Sequence, residues 1–366
     1  MKYDAVVVGG GFYGLSIAEY LLKNKIAKNL LVIERGKEVM LRASKNNQRR
    51  IHNGLHYLRS LPTAIRCIEN YQKFSNEWKP AVYSSFNSLY GISKINSKVS
   101  SRYFEKFANE LNIPFENVSS SYSDKFNLRL IDKIYEVDEK VFNTQILRDI
   151  ILSRFNKLNI NFIFNTTAQL LKTSEEENVI ILDSGEKIST KLLFNCTYSG
   201  INHFLQNIKD NNTLPTIKHE LTEISIVKLD QEFTNLSFTL MDGPFFSLLP
   251  HPESGYHSLS HVTYTPRISW EDNFSIPYKT TDENFDLISN FNFMKKATEI
   301  YTDVLKNSTY VDSYYEIKSV LVENEHNDGR PIVASKINQS NTYNIFGSKI
   351  DQIYDVFEFL DSEFNL

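Results

Sequence analysis

Val6-Val7-Val8-Gly9-Gly10-Gly11-Phe12-Tyr13-Gly14 is the stretch that decides the fold of this chain. The apolar, β-branched run from Ala5 to Val8 reads as a buried parallel strand. It breaks into G-x-G-x-x-G at Gly9, Gly11 and Gly14, then passes into the helical pattern Leu15-Ser16-Ile17-Ala18-Glu19-Tyr20-Leu21-Leu22. A second apolar run, Leu30 to Ile33, ends in Glu34, twenty residues after Gly14. Strand, glycines, helix, strand and terminal acid in this order predict a dinucleotide site. Gly9 permits the tight turn, Gly11 lets a pyrophosphate approach the backbone, and Gly14 lets helix and strand pack closely. The helix N-terminus offers N–H groups and positive dipole to the phosphates. Glu34 would accept hydrogen bonds from ribose hydroxyls and repel a 2′-phosphate, which disfavours NADP.

The same segment does not read as a signal peptide or membrane anchor. Glu19 and four glycines interrupt it, and only Lys2 supplies a positive charge before it. A cytoplasmic protein without a transmembrane segment is expected. At 366 residues the chain is long enough for two domains, and 41% hydrophobic with 23% charged residues is ordinary for a globular protein. The net charge of −4 gives no electrostatic case for nucleic acid or anionic lipid. Two distant cysteines, Cys67 and Cys196, argue for a reducing compartment and against a disulfide scaffold, and no metal-ligand spacing is present.

Helices are expected over 62–79, 100–111 and 142–157, a strand over 161–164, and a hairpin from 179–182 to 188–193. From about residue 217 the pattern turns antiparallel, with strands over 220–229, 236–249 and 256–265, one long helix over 283–306 and a strand over 309–322. The segment 344–350 then reads as a strand running into a helix over 351–361. The expectation is an α/β protein: a discontinuous Rossmann-type cofactor domain (1–79, 136–216 and 323–366) with an inserted antiparallel-sheet substrate domain (80–135 and 217–322).

A second constellation follows Glu34: Ser44-x-x-Asn47-x-x-Arg50-x-His52-x-Gly54-x-His56-Tyr57. Hydroxyl and amide side chains suit phosphate and polyol oxygens, and the rings bring donors near a flat cofactor. With Leu193-Phe194-Asn195-Cys196-Thr197-Tyr198-Ser199-Gly200, and Asp328-Gly329-Arg330-Pro331 followed by Phe346-Gly347-Ser348-Lys349-Ile350, these blocks resemble the FAD-dependent oxidoreductases of the D-amino-acid oxidase/glycine oxidase class. That class includes sarcosine oxidase, glycerol-3-phosphate dehydrogenase and L-2-hydroxyglutarate oxidase. Two departures stand out. Tyr198 and Ser199 separate Thr197 from Gly200, and the C-terminal block has the single glycine Gly347 where relatives have several.

The resemblance implies noncovalent FAD held by Gly9, Gly11, Phe12, Tyr13, Gly14, Glu34 and Arg35, then by Ser44 and Asn47. Thr197, Gly200, Gly347, Lys349 and Ile350 complete the implied contacts. It also implies an oxidoreductase taking a hydride from a C–O or C–N bond onto flavin N5. The substrate would be a small anionic metabolite: a hydroxy acid, an amino acid or a sugar derivative. His52 and His56 are candidates to move the substrate's proton and Arg330 to clamp its anionic group. Backbone N–H groups of Gly347 to Ile350 would serve the flavin's anionic edge. His251, His257 and His261, with Tyr256 and Tyr264, read as a wall of the substrate pocket. Two other functions compete: a flavin-binding protein that only scaffolds a partner, and an NAD-linked dehydrogenase, which would have no need of the second and last blocks. Electron acceptor and oligomeric state stay open.

Overall fold

The structure, a computed structural model, describes residues 2–118, 122–208, 216–272, 288–324 and 329–366. The first strand, β1 (Lys2–Val8), is buried on both faces from Ala5 onward because it lies inside a parallel array. β2 (Leu30–Ile33) pairs with it on one side and β12 (Lys187–Asn195) on the other, both parallel. β9 (Ile160–Ile163) extends the array beyond β2. On the far side of β12, β11 (Asn178–Leu182) pairs antiparallel with its first half, and β10 (Ala168–Lys172) pairs antiparallel with β11. β20 (Thr342–Phe346) pairs in parallel with the second half of β12, and β19 (Val333–Lys336) with β20. The last strand of the chain thus enters the same sheet as the first.

Helix α1 (Phe12–Lys23) begins at Gly11 and buries Leu15, Ile17, Ala18 and Leu21 against this sheet. α2 (Leu61–Glu77), α4 (Thr144–Phe155) and α7 (Ile353–Phe364) contribute Phe74, Leu147 and Val356 to the same core. Phe12 meets Trp78 edge-on, with ring centroids 5.5 Å apart. Each such buried side chain contributes roughly 1.5–3 kcal/mol.

A second sheet of nine strands lines one cavity together with residues of the first. Its spine is β13 (Ile217–Lys228) against β18 (Thr309–Leu321), antiparallel from Ile217↔Leu321 to Lys228↔Thr309. From β13 the sheet runs through β16 (Tyr256–His261), β15 (Phe246–His251) and β14 (Leu236–Met241), with β17 (Pro266–Asp272) at one edge. It continues into β5 (Asn87–Ser93), β7 (Ile131–Val137) and β6 (Phe115–Asn117), and among the described residues only the β14–β5 pair is parallel. A small ladder of β3 (Arg50–Ile51), β8 (Lys140–Phe142) and β4 (Val82–Tyr83) lies apart from both large sheets, and α3 (Ser101–Glu110) packs against β7. The α/β expectation, with its interrupted Rossmann-type sheet and antiparallel insertion, is what the chain forms.

Several boundaries differ from the sequence expectation. Residues 236–249 are two strands, because Asp242, Gly243 and Pro244 turn the chain and Phe245 N–H bonds back to the Gly243 carbonyl at 2.8 Å. The strand expected over 256–265 stops at His261. Of the helix expected over 283–306, residues 283–287 lie outside the described residues, and α6 spans only Phe291–Glu299. The chain leaves it because Thr302 is extended and bridges to Phe126, then caps a short turn at Asp303–Leu305. Near the C-terminus the strand ends at Phe346, and α7 starts only after the turn Ile350–Gln352.

Candidate active site

The three glycines of the fingerprint answer to different neighbours. Gly9 has φ of +109°, and a Cβ there would lie 2.4 Å from the Cys196 carbonyl oxygen. A Cβ on Gly14 would lie 1.9 Å from the Gly9 carbonyl oxygen. Both glycines are therefore required by the packing of the chain on itself. Gly11 is not: its Cβ would meet only Ser44 Oγ, at 3.2 Å, and it borders the main cavity. The Ser44 hydroxyl accepts from Phe12 N–H at 3.0 Å, which fixes the second block across the start of α1.

Glu34 lies buried at the end of β2. Its Oε2 accepts from Gly10 N–H and its Oε1 from Gly36 N–H, both at 2.7 Å. Each oxygen keeps a lone pair for a further donor. Arg35 follows at the strand end. On the neighbouring strand, Thr197 Oγ1 donates to Asn195 Oδ1 at 2.7 Å, and Gly200 closes a short turn. Cys196 and Tyr198 border the cavity there, whereas Thr197 and Gly200 do not. Tyr198, one of the two extra residues, stacks on Phe346 with centroids 5.4 Å apart, and its hydroxyl accepts from Ser319 N–H at 3.0 Å.

The cavity measures about 660 Å³ and lies between the two large sheets. The first sheet's side supplies Gly11, Ser44 and Asn47, the loop bearing His52, His56 and Tyr57, and the return through Arg330, Gly347, Lys349 and Ile350. The antiparallel sheet supplies Thr222, Thr239, Phe246 and Lys318. The Tyr13 hydroxyl donates to the Lys349 carbonyl, so the first helix and the last return are tied together at the cavity wall.

The loop after β3 holds three rings within touching distance. The centroids of His52 and His56 are 5.4 Å apart, and Tyr57 lies 5.1 Å from the first and 5.5 Å from the second. Arg50, buried beside them, is held on every side. Its Nη1 donates to His56 Nδ1 at 3.0 Å and to Tyr90 Oη at 2.7 Å, and its Nη2 donates to Thr239 Oγ1 at 2.9 Å and to Ser247 Oγ. Glu139 Oε1 balances its charge at 2.9 Å.

Cations surround the pair. Lys349 Nζ sits 4.3 Å from the centre of the Tyr57 ring and 3.4 Å from the Arg330 carbonyl. Lys318 Nζ pairs with Glu220 at 3.3 Å. Arg330 is set by its N–H on Thr63 Oγ1 at 3.2 Å and its Nη1 on the Gly329 carbonyl at 2.8 Å. Burial, then the neighbouring charges, hold both His52 and His56 well below the usual imidazole range, so both rings are neutral at pH 7. Burial also lowers Lys349 and Lys318 from the ordinary lysine value. Behind the return, burial pushes the Asp351 carboxyl up to about 7.

The structure corrects the wall assigned to the later histidines. His251, His257 and His261 are buried inside the antiparallel sheet and do not border the cavity, nor do Tyr256 and Tyr264. His251 Nε2 accepts from Arg49, His257 Nε2–H donates to the Leu236 carbonyl at 2.9 Å, and His261 Nδ1 accepts from Thr263 N–H at 3.1 Å. His257 ties β16 to β14, His251 ties β15 to the segment before β3, and His261 fixes the turn that follows its own strand. Ser319, His219 and Asp272 also line up, at 2.7 and 3.2 Å, but all three are sealed within the sheet, out of reach of a substrate. Asp328 lies outside the described residues.

Lys318, Thr239 and the Tyr90–Glu139 support of Arg50 went unread in the sequence, since they reach the site from distant strands. Among the described residues no helix is long and apolar enough to cross a membrane, and no group of three acidic, histidine or cysteine side chains is placed to hold a metal.

Comparison with known proteins gives concordant results. The family model described as FAD dependent oxidoreductase matches residues 4–291. The mitochondrial L-2-hydroxyglutarate dehydrogenase of Caenorhabditis elegans is 36% identical over 83 residues, 22% of this chain and 19% of that protein. The FAD-dependent monooxygenase kojA of Aspergillus flavus is 26% identical over 274 residues, 71% of this chain and 62% of that protein. The chain therefore spans less than two thirds of the length of these curated relatives. Among solved structures, glycine oxidase from Geobacillus kaustophilus superposes with a TM-score of 0.71 at 12% identity, covering 98% of this chain and 94% of the other. The L-alpha-glycerophosphate oxidase of Mycoplasma pneumoniae, solved with FAD bound, gives 0.71 at 12% identity over 99% and 94%. At such identities these two likenesses speak to the fold.

Proposed function

Because the chain belongs to the FAD dependent oxidoreductase (DAO) family, we propose that it oxidises a C–O or C–N bond of a small anionic metabolite. The residues present fit the cofactor. Gly11 leaves space at the start of α1, where backbone N–H groups and the helix dipole suit a pyrophosphate. Ser44, Asn47 and Gly347 to Ile350 line the cavity; in this reading Glu34 and Arg35, at the end of β2, would serve the ribose and adenine, and the amides of Gly347 to Ile350 would serve the ring. FAD, held noncovalently, supplies a hydride acceptor at N5. The cofactor domain is assigned to 1–79, 136–216 and 323–366, and the substrate domain to 80–135 and 217–322.

One observation carries the reading: Arg330, Lys349 and Lys318 converge on two neutral imidazoles at one end of the cavity. Arg330 would clamp a carboxylate or phosphate, since a guanidinium is always charged and matches such groups in two places. His52 and His56 would handle the hydroxyl or amine proton as the C–H bond breaks. The local identity to L-2-hydroxyglutarate dehydrogenase favours a 2-hydroxy acid. A cytoplasmic setting accords with two buried free cysteines.

Anaerobic titration of the yellow protein tests this. L-2-hydroxy acids, amino acids and sugar phosphates are added in turn while flavin absorbance is followed. Bleaching by an anionic compound, and none by its methyl ester, is expected. Failure of every class would instead support a flavin-binding protein that acts as a scaffold.

A further inference from the structure

The two histidines of the site are held differently, and the difference assigns them different work. A guanidinium has only N–H donors and no acceptor. Each hydrogen of Arg50 Nη1 and Nη2 has its own acceptor: His56 Nδ1 and Tyr90 Oη on one nitrogen, Thr239 Oγ1 and Ser247 Oγ on the other. Glu139 fixes the group from behind, and Tyr90 Oη in turn donates to Glu139 at 2.6 Å. Arg50 cannot rotate away without leaving several buried groups unpaired. We propose that Arg50 is a positioning residue that locks His56 as the neutral Nε2–H tautomer, so that His56 acts only as a hydrogen-bond donor towards the substrate and His52 is the base.

The chemistry follows from the lone pairs. With its proton on Nε2, His56 has one basic nitrogen, Nδ1, and a fixed N–H donor already occupies it. Taking up a proton there would set two donors against each other beside a buried cation. His52 is free of such a clamp: its Nε2 lies 3.5 Å from the Tyr57 hydroxyl, which can donate to it, and its Nδ1 has no hydrogen-bond partner among the described residues. When the substrate's O–H or N–H bond breaks, the proton goes to His52 Nε2. The electron pair of that bond becomes the second bond of the C=O or C=N product as the C–H hydride departs to the family's oxidant, FAD. His56 Nε2–H meanwhile donates to an oxygen of the anionic substrate. The charged groups facing the pair are Arg50 on β3, Arg330 and Lys349 on the C-terminal return, and Lys318 on β18, with the neutral Tyr57 beside them. Arg50, Arg330 and Lys349 disfavour an imidazolium at either ring, and Lys318 at His56, until a substrate anion arrives, so bound substrate itself makes His52 a better base.

This assignment rests on the substrate-side reading above, and its test separates the two. The flavin-loaded protein is labelled with [15N]histidine, and the His56 signals are identified by their loss in His56→Gln. Nδ1 at an acceptor shift and Nε2 bearing hydrogen, unchanged from about pH 6 to 8, is the expected pattern for a ring held neutral. A proton on Nδ1, or an imidazolium appearing in that range, would overturn the proposal. In the double variant Arg50→Met/Glu139→Gln, which leaves neither charge buried alone, the His56 titration should move upward by about one pH unit or more. An unmoved titration in a folded double variant would remove Arg50 from its role. With whichever compound bleaches the flavin, His56→Gln retains an acceptor for Arg50 and a donor for substrate. It should reduce within about tenfold of the parent, while His56→Ala loses about a hundredfold. His52→Gln should fare no better than His52→Ala, both losing roughly 10²- to 10⁴-fold. Rescue of His52 by Gln, or its failure at His56, contradicts the division. If no compound bleaches the flavin, the substrate reading has failed and the tautomer measurement still decides this one.

Discussion

Gly14 sits so close to Gly9 that a Cβ on Gly14 would lie 1.9 Å from the Gly9 carbonyl oxygen, while a Cβ on Gly11 would meet nothing but Ser44 Oγ at 3.2 Å. One motif therefore contains a packing glycine and a ligand glycine, and mutagenesis should separate them. Gly14→Ala should destabilise the fold by about 2 kcal/mol or more, since backbone cannot yield as a side chain can. Gly11→Val should yield colourless protein whose unfolding midpoint matches that of the flavin-stripped parent, since only the stabilisation by bound FAD is lost. Denaturant titration and the flavin absorbance of purified protein check both, and a yellow Gly11→Val protein would exclude the pyrophosphate from that place.

Glu34 ties two backbone segments through charge-assisted bonds from Gly10 and Gly36. Glu34→Gln turns an amide NH2 towards one of these N–H groups and leaves it unpaired. A loss of roughly 1–3 kcal/mol is expected, together with weaker FAD retention on gel filtration. Equal stability with full flavin content would show that the carboxylate serves neither purpose.

Arg330→Ala should raise the apparent Kd of an anionic substrate by about ten- to a hundredfold, the worth of a charge-assisted hydrogen bond. The rate of flavin reduction at saturation should stay near that of the parent, while its acid limb moves to higher pH, because Arg330 is one of the cations that hold His52 and His56 neutral. Rapid-mixing reduction at several substrate concentrations distinguishes the two parameters. A fall in the saturating rate alone would move Arg330 from binding to chemistry.

The buried histidines of the antiparallel sheet predict sensitivity to acid. Burial pushes His257 and His261 down to about 4, and burial with the nearby Arg49 pushes His251 down to about 3. An unfolded histidine titrates near about 6.5, so below that value the unfolded chain binds more protons than the folded one. Stability should be full above about pH 6.5 and decline towards pH 4, with each ring costing on the order of 2 kcal/mol at pH 5. Urea midpoints at pH 7 and pH 5 measure the decline. His257→Gln, which keeps a donor for the Leu236 carbonyl, should reduce it, and an unaltered pH slope would count against this origin.

The nucleotide-binding half of the fold was legible because its signals are local. Strand, glycines, helix and acid fall within thirty-four residues, and each is set by its own neighbours. The antiparallel half was legible in kind but not in detail. Its periodicity continues across the Asp242–Pro244 turn, and the helical pattern before residue 306 continues past Glu299, where a tertiary bridge from Thr302 to Phe126 takes over. His52, His56 and Arg330 could be brought to one cavity by reading blocks in order. The clamp on His56 could not, since Tyr90, Thr239 and Ser247 on strands and Glu139 in the turn between β7 and β8 reach Arg50 from up to 197 residues away. The later histidines misled for the converse reason: polar side chains in a two-layer sheet tie strands together as readily as they face a ligand.

The bond from the Tyr13 hydroxyl to the Lys349 carbonyl spans 336 residues of chain, and this sets a schedule for biogenesis. At about 5–20 residues per second, the ribosome takes roughly twenty seconds to a minute to deliver the second partner after the first. Throughout that interval β1 and α1 exist without β20 to flank β12 and without the return that closes the cavity. A nascent chain cannot hold its flavin by both walls, so loading belongs to the finished polypeptide.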